Sequence, residues 1–274
     1  MNLKTQTVFI AYRRSVSSFT ARAIFTHLIY HDYDVFMDVA SINAGQFEQI
    51  SLNQIAARAH FLLILTPGTV ERFTDPTDWL RREVEHAIAL QRNIVPVLIN
   101  GFWFEAYQEY FTGALAEIPR TNAVVIYHEY FEEGMTRLQE RFLTAPQGHL
   151  RPAPLPEQAF VEQKIQELAN QPTPTTMQLT AEKLFMRGLE QFEGGHYATA
   201  IEMFDRCLRA FPNFAPAYVM RGSAKGQNDD IKGAISDLVQ YLNMDDPHET
   251  VERAGVVQMI RALKDQKYET SEIP

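Results

Sequence analysis

Five short apolar runs alternate with helical patterns along the first half of the chain, and this alternation constrains the fold more than any other feature. The runs are rich in β-branched and aromatic residues and mostly apolar on both faces, which is typical of parallel strands covered by helices. We therefore predict an α/β domain with a doubly wound, five-stranded parallel sheet, whose ligand-binding loops lie at the carboxyl ends of the strands. The predicted strands are Thr7–Tyr12, Asp34–Asp38, Phe61–Thr66, Ile94–Ile99 and Ala123–Tyr127. The predicted helices are Phe19–Tyr30, Phe47–Arg58, Pro76–Leu90 and Tyr130–Phe142.

The character of the sequence changes near residue 144. The stretch Ala145–Glu157 contains four prolines and has neither a strand nor a helix period, which is typical of a linker. A single helical pattern follows at Gln158–Ala169, the stretch Gln171–Thr176 is again rich in proline and threonine, and the pattern beyond it is purely helical. We therefore predict three parts: an α/β domain over residues 1–144, a proline-rich linker with a short helix over 145–178, and an all-α domain over 179–274.

The last part contains an internal repeat. Met186–Gly188 recurs as Met220–Gly222 and Ala200-Ile201 recurs as Ala234-Ile235, each at an offset of 34 residues. This is the period of the tetratricopeptide repeat (TPR), a helix–turn–helix unit. The sequence thus resembles two TPR-like repeats, with Gly188 where the two helices of a unit cross closely and a capping helix at Thr250–Lys264.

Composition and charge narrow the possible partners. A net charge of −9 argues against general binding to nucleic acid or to an anionic membrane surface, because both need a concentrated cationic footprint. The lone cysteine, Cys207, excludes an intrachain disulfide, and the eight histidines show no spacing typical of a zinc site. No signal peptide or membrane-spanning run is evident. We therefore expect a cytoplasmic protein without a metal or a bound cofactor.

A tryptophan and a glutamate share one flank of the predicted third helix. Asp75 and Pro76 favour a helix start, and Trp79 and Glu83 follow four residues apart. An aromatic face beside a carboxylate, near the start of a helix that follows a strand, is typical of a ligand site. The alternative is a half-buried tryptophan that packs on the core beside a solvated glutamate.

Two further segments lie where strands of the predicted sheet end. Arg13 and Arg14 follow the first strand, where an α/β sheet binds phosphates, and arginine suits phosphate oxygens well. The alternative is that one of them pairs with an acidic neighbour. The second segment is a predicted loop after the second strand, in which Gly45 provides backbone freedom and Phe47 opens the next helix. The alternative is an ordinary connection between strand and helix, with Phe47 in the core.

Taken together, residues 7–142 resemble a Toll/interleukin-1 receptor (TIR) domain of flavodoxin-like fold. Within that family they are most similar to the NAD-cleaving type found in axon-degeneration proteins that also carry sterile-alpha motifs. The shared features are spread over the whole stretch, so the match is specific even though no single motif is. They include Val8-Phe9-Ile10, Tyr12-Arg13-Arg14, Ala44-Gly45 with Phe47-Glu48, Asp78-Trp79 with Glu83, Asn93-Ile94-Val95-Pro96 and His128-Glu129-Tyr130.

The resemblance implies roles for individual residues. It makes Glu83 the catalytic carboxylate. The residues that it places in the NAD pocket are Arg13, Arg14, Gly45, Phe47 and Trp79. In the family a neighbouring TIR subunit completes the site with an aromatic residue and a His-x-Tyr segment. These correspond here to either Trp103 or Phe104, together with His128 and Tyr130.

The function that the resemblance implies is that of an NAD+ nucleosidase. Such an enzyme cleaves the nicotinamide–ribose bond to give nicotinamide and ADP-ribose or a cyclic isomer, and it is activated by self-assembly of its TIR domains. By analogy, a fusion to TPR-like repeats indicates a prokaryotic immune or cell-death effector in antiviral defence, regulated by its repeats. The alternative is a non-enzymatic adaptor in which both modules are interaction surfaces. Adaptor TIR domains typically lack the Trp–Glu pair and the paired arginines, so we favour the enzyme.

Overall fold

A computed structural model of the chain describes residues 6–37, 44–99, 101–144, 150–244 and 253–271. The chain divides into two compact units between Pro174 and Thr175, apart from Arg14–Val16, which group with the second unit. In the part of the chain that is described, no helix is both long and apolar enough to cross a membrane.

The first unit is built on a five-stranded sheet in which every paired neighbour is parallel, in the order β2-β1-β3-β4-β5. This confirms the predicted doubly wound α/β fold. The strand order reverses between β1 and β3, so the loops that follow these two strands border the crevice where open α/β sheets bind ligands. The strands are β1 (Thr7–Ala11), β2 (Asp34–Met37), β3 (His60–Leu65), β4 (Asn93–Ile99) and β5 (Val124–Ile126).

Helices cover this sheet. They are α1 (Arg14–Tyr30), α2 (Ala44–Ala57), α3 (Trp79–Ala89), α4 (Phe131–Arg141) and α5 (Leu155–Ala169). Helices α1 to α3 connect successive strands, and α4 and α5 follow the last strand. Shorter 3-10 helices lie at Glu71–Thr74, Phe104–Tyr110, Gly113–Arg120 and His128–Tyr130. The core between sheet and helices is apolar and aromatic. Within it the rings of Phe9 and Phe61 stack with centroids 5.3 Å apart across the β1–β3 pair.

The predicted start of the third helix is wrong. Asp75 does not cap α3; its carboxylate accepts the Thr77 backbone N–H at 2.8 Å in a turn ahead of the helix. The N-cap is Asp78, whose side chain accepts the Arg81 backbone N–H at 3.0 Å. Both aspartates have the residue type of a cap, and Asp78 is selected because it also pairs with Arg13.

Helix α5, predicted as part of a linker, packs into the first unit. Val161 is buried in the same apolar cluster as the sheet, and Phe160 and Ile165 pack against that cluster. Two hydrogen bonds attach the α5 segment to α2: Asn53 Nδ2 donates to Glu157 at 2.8 Å, and the Arg151 N–H donates to the Ala56 carbonyl at 2.9 Å. The segment 150–169 therefore belongs to the packed structure of this unit.

A truncation tests this placement. We expect a fragment of residues 1–144 to be less stable than one of residues 1–174 by ~3–6 kcal/mol, because it lacks the side chains of Val161 and Leu168, each worth about 1.5–3 kcal/mol when fully buried. Urea unfolding followed by circular dichroism gives the comparison. Equal unfolding midpoints for the two fragments would show that α5 contributes nothing to this core.

The second unit is all-helical, as predicted, and consists of consecutive helices that pack on their neighbours in the chain. Helices α7 and α9 begin at Tyr197 and Ile231, the same offset that the sequence repeat shows. Arg221 connects both: its guanidinium donates to Asp237 at 2.8 and 2.6 Å and to Asp205 at 2.6 Å. The helices are α6 (Thr176–Glu193), α7 (Tyr197–Ala210), α8 (Ala215–Gln227), α9 (Ile231–Asn243) and α10 (Arg253–Ser271).

Gly188 lies where α6 crosses α7 closely, as the sequence indicates. A methyl group added there would collide with the buried ring of Phe204. We expect Gly188→Ala to lower the free energy of unfolding by about 2 kcal/mol, because overpacking a filled core forces its neighbours to move. Gly255→Ala is the matched control, since its methyl group would meet nothing within 4 Å and alanine favours a helix. Thermal unfolding of the two variants tests both expectations. Equal melting temperatures for Gly188→Ala and Gly255→Ala would argue against a close crossing of α6 and α7.

Candidate active site

A buried ion pair fixes the amino end of α3 next to the end of β1. Arg13 Nη1 and Nη2 donate to the two carboxylate oxygens of Asp78 at 2.8 and 3.0 Å. Nε and Nη2 of the same guanidinium donate to the Thr69 carbonyl at 3.2 and 3.0 Å. The Asp78 side chain is 1% exposed and the Arg13 side chain 14%. Arg13 therefore ties the loops after β1 and β3 to the start of α3.

The loop after β3 has a conformation in which the Thr69 carbonyl faces Arg13. Gly68 has φ of +84°, a left-handed conformation that favours glycine. The Thr66 backbone N–H donates to Thr69 Oγ1 at 3.0 Å, and the Gly68 N–H donates to the Glu71 carboxylate at 2.8 Å. Burial raises the pKa of that Glu71 carboxyl, whereas the donated hydrogen bonds and Arg13 lower it. The loop is thus held from within by its own polar groups.

The sequence left two alternatives for the paired arginines, phosphate binding or pairing with an acidic neighbour. Arg13 pairs with an acidic residue, Asp78. Its guanidinium is engaged with Asp78, so any role in ligand binding includes the placement of α3. Arg14 is the first residue of α1 and is half-buried. That either arginine contacts a diphosphate stays a prediction.

Glu83 lies in the second turn of α3 and is 3% exposed. Ser51 Oγ, from α2, donates a hydrogen bond to Glu83 Oε1 at 2.6 Å. The short distance is typical of a charge-assisted bond to a carboxylate. This burial excludes the alternative of a solvated glutamate. A buried carboxylate held by a donor from a second helix is the kind of group that catalytic sites use.

Sequence reasoning missed Ser51. Its only local signal is that a small polar residue falls one turn before Ile55 on α2; both residues are fully buried. A serine on a buried helix face commonly bonds back to its own helix. Nothing in the local pattern indicates a partner 32 residues away.

Trp79 begins α3 and is half-buried. The guanidinium carbon of Arg82 lies 5.1 Å from the centre of its ring, and Arg82 Nη1 pairs with Glu48 Oε1 at 3.2 Å. Trp79 and Glu83 lie one turn apart on the same helix, so they share a flank as the spacing predicts. The flank therefore carries an aromatic face, a cation and a buried carboxylate within two turns.

The predicted loop after β2 lies largely outside the described residues, which omit 38–43. The backbone of Gly45 and Phe47 belongs to the first turn of α2, so Gly45 is a helical residue and not a loop residue. The side chain of Phe47 lies outside what the structure describes, and its place in an NAD pocket stays a prediction.

The remaining predicted residues follow β4 and β5. Trp103 is 53% exposed and Tyr130 is 63% exposed. Phe104 instead packs on the core, with its ring 5.4 Å from that of Phe111. His128 Nε2 lies 3.2 Å from Thr20 Oγ1 of α1. The two candidates for the aromatic residue contributed to a neighbouring subunit therefore differ in exposure. Trp103 is accessible at the surface, whereas Phe104 packs against the core.

Comparison with known proteins relates the first unit to a family and to several named proteins. Residues 8–137 match the family described as the TIR domain. The chain is 32% identical over 148 residues to the NAD(+) hydrolase tir-1 of Caenorhabditis elegans, covering 53% of this chain and 15% of that protein. The NAD(+) hydrolase sarm1 of Drosophila melanogaster is 35% identical over 144 residues (51% and 10%), and the NAD(+) hydrolase SARM1 of Danio rerio is 30% identical over 139 residues (50% and 19%).

The chain thus spans less than a fifth of the length of these curated relatives. The match falls on the first unit and leaves α6 to α10 outside the matched family residues. Residues 8–137 are therefore a TIR domain, homologous to part of proteins named NAD(+) hydrolases.

Proposed function

We propose that this chain is an NAD+ nucleosidase that cleaves the bond between nicotinamide and ribose. The observation that carries the proposal is Glu83, a buried carboxylate on α3 that a serine from α2 orients and that lies one turn from Trp79. The names of the relatives support the same chemistry. NAD+ is then the substrate, and the reaction needs no cofactor.

A single carboxylate suffices for this reaction. An O-glycosidase needs a second carboxyl group to protonate the departing oxygen. In NAD+ the leaving nitrogen already carries positive charge, so nicotinamide departs neutral without a proton. Glu83 would stabilise the positive charge that develops on the anomeric carbon of the ribose. Water, or a nucleophile within the substrate, then bonds to the anomeric carbon that nicotinamide has left. The product is ADP-ribose, with release of a proton from the water, or a cyclic isomer.

The other residues would bind and place the substrate. Trp79 offers an aromatic face to the cationic pyridinium. Arg13 places α3 through Asp78, and Arg14 beside it is our candidate for the diphosphate. Gly45 and Phe47 at the start of α2 are proposed to complete the pocket on the same chain.

Self-association of TIR domains is proposed to complete the site. The surface after β4 and β5 offers Trp103 and Tyr130, which are exposed, beside His128. A neighbouring subunit would contribute these residues to the pocket. We further propose that the helical second unit is a TPR-like regulator or partner-binding module and that the chain serves in prokaryotic antiviral defence in the cytoplasm.

The test is to incubate the purified full chain with NAD+ over a range of protein concentrations and separate the products by chromatography. We expect nicotinamide together with ADP-ribose or its cyclic isomer, at a rate per chain that rises with concentration. Intact NAD+ under conditions in which the folded chain demonstrably self-associates would contradict the proposal and favour an adaptor.

A further inference from the structure

We infer that Ser51 is a positioning residue for the proposed cleavage: its hydroxyl holds the carboxylate of Glu83 in the orientation that the reaction requires. The inference rests on the proposed function, because it assigns a role in the same site. It concerns a residue of α2 that the sequence pattern does not single out.

The geometry favours a specific role over incidental packing. The two groups come from different helices, both are nearly or fully buried, and Ser51 Oγ lies 2.6 Å from Glu83 Oε1. A hydroxyl in a helix commonly bonds back to a carbonyl of its own helix. Ser51 instead donates across the α2–α3 contact to a carboxylate. Its position on α2 therefore decides where one oxygen of Glu83 lies.

The energetics point the same way. A glutamate side chain has several rotatable bonds, and fixing one oxygen to a partner on a second helix restricts the orientation of the whole carboxylate. In a dry interior such a bond is stronger than in water. Without the donor the Glu83 carboxylate would be less restricted, while the proposed contacts with NAD+ would remain.

Helix α2 also provides a matched control. Asn53 lies two residues beyond Ser51, about 200° further around the helix axis, so it points to another side. There its Nδ2 donates to Glu157 of α5 at 2.8 Å. Replacing Asn53 thus removes a hydrogen bond between helices from the same part of α2 without touching Glu83. A merely structural role of Ser51 would resemble the effect of this control.

The experiment compares the full chain with Ser51→Ala, Ser51→Thr and Asn53→Ala, using nicotinamide release from NAD+ to obtain kcat and KM. For Ser51→Ala we expect kcat to fall about tenfold to 100-fold, as for the loss of a hydrogen bond to a charged group, while KM changes little.

The other two variants separate positioning from folding. Ser51→Thr, which keeps the hydroxyl, should recover most of the rate, and Asn53→Ala should keep the kcat and KM of the original chain. An unchanged kcat in Ser51→Ala, or an equal loss in Asn53→Ala, would overturn the role of Ser51 and leave the proposed function intact. Absence of nicotinamide release by the original chain would overturn both.

Discussion

Replacing Glu83 with glutamine is expected to lower the rate of nicotinamide release by about a thousandfold or more. Electrostatic stabilisation of a developing charge is usually the largest single contribution to a rate enhancement, and removing one such group costs roughly 100-fold to 1,000-fold or more. Glutamine keeps the size of the side chain and removes its negative charge. The loss should appear mainly in kcat, because in the proposed reaction the carboxylate acts on the charge that forms during cleavage. Initial rates of nicotinamide release give the comparison.

Glu85→Gln is the matched control for this prediction. Glu85 lies two residues further along α3 and accepts a hydrogen bond from Arg81 at 2.8 Å, on a side chain that is 36% exposed. Pairs between residues four apart on one helix contribute only a few tenths of a kcal/mol to stability. The control variant should therefore keep nearly the full rate. An equal fall in the rate of nicotinamide release for Glu83→Gln and Glu85→Gln would show that the loss is not specific to Glu83. It would contradict the proposed catalytic role of Glu83.

Asp78→Ala is expected to be the most destabilising single substitution in the site, lowering the free energy of unfolding by about 3–5 kcal/mol. That range is typical when one member of a buried ion pair is removed, because the remaining charge stays buried without compensation. Here the remaining charge is that of Arg13, which loses both of its bonds to Asp78, and α3 loses its N-cap. Urea unfolding measures the change. Activity should fall as well, since the cap places the helix that carries Glu83.

The neighbouring aspartate provides the comparison for Asp78. Asp75 is exposed, and its carboxylate bonds locally to Thr77, two residues away. Asp75→Ala should therefore change the urea midpoint only slightly. If Asp75→Ala and Asp78→Ala shifted the midpoint equally, the pairing of Asp78 with Arg13 would carry no special weight in the stability of this unit.

The sheet could be predicted because the residues of each strand indicate by themselves whether the strand is buried. Runs such as Phe61–Leu65 are apolar on both faces, which leaves a buried parallel strand as the natural solution, and that run is entirely buried. The helical character of the second unit was equally readable from its sequence pattern, whereas its assignment to TPR-like repeats stays a prediction. In both cases the pattern lies within a few residues of the element that it predicts.

The candidate site could be predicted only in part, because its decisive contacts join distant segments. Spacing placed Trp79 and Glu83 on one flank, but it did not distinguish a buried from a solvated glutamate. The partner that decides this, Ser51, is 32 residues away. In the same way, local rules favoured Asp75 as the cap because Pro76 follows it, whereas the actual cap is Asp78, which pairs with Arg13, 65 residues away.

The docking of α5 shows the same limit. Its helical period was visible, but the surrounding prolines indicated a linker. The residues that attach it, Asn53 and Glu157, lie 104 positions apart. Polar contacts between elements are set by the tertiary structure, and a single sequence carries no periodic signal for them.

The most direct measurement is the number of nicotinamide molecules that the full chain releases from NAD+ per chain, counted by chromatography beside an equal amount of Glu83→Gln. We predict many turnovers for the original chain at concentrations where it self-associates, and a count near zero for the variant. Equal counts for the two proteins would contradict the claim that the Glu83 carboxylate of this TIR domain cleaves NAD+.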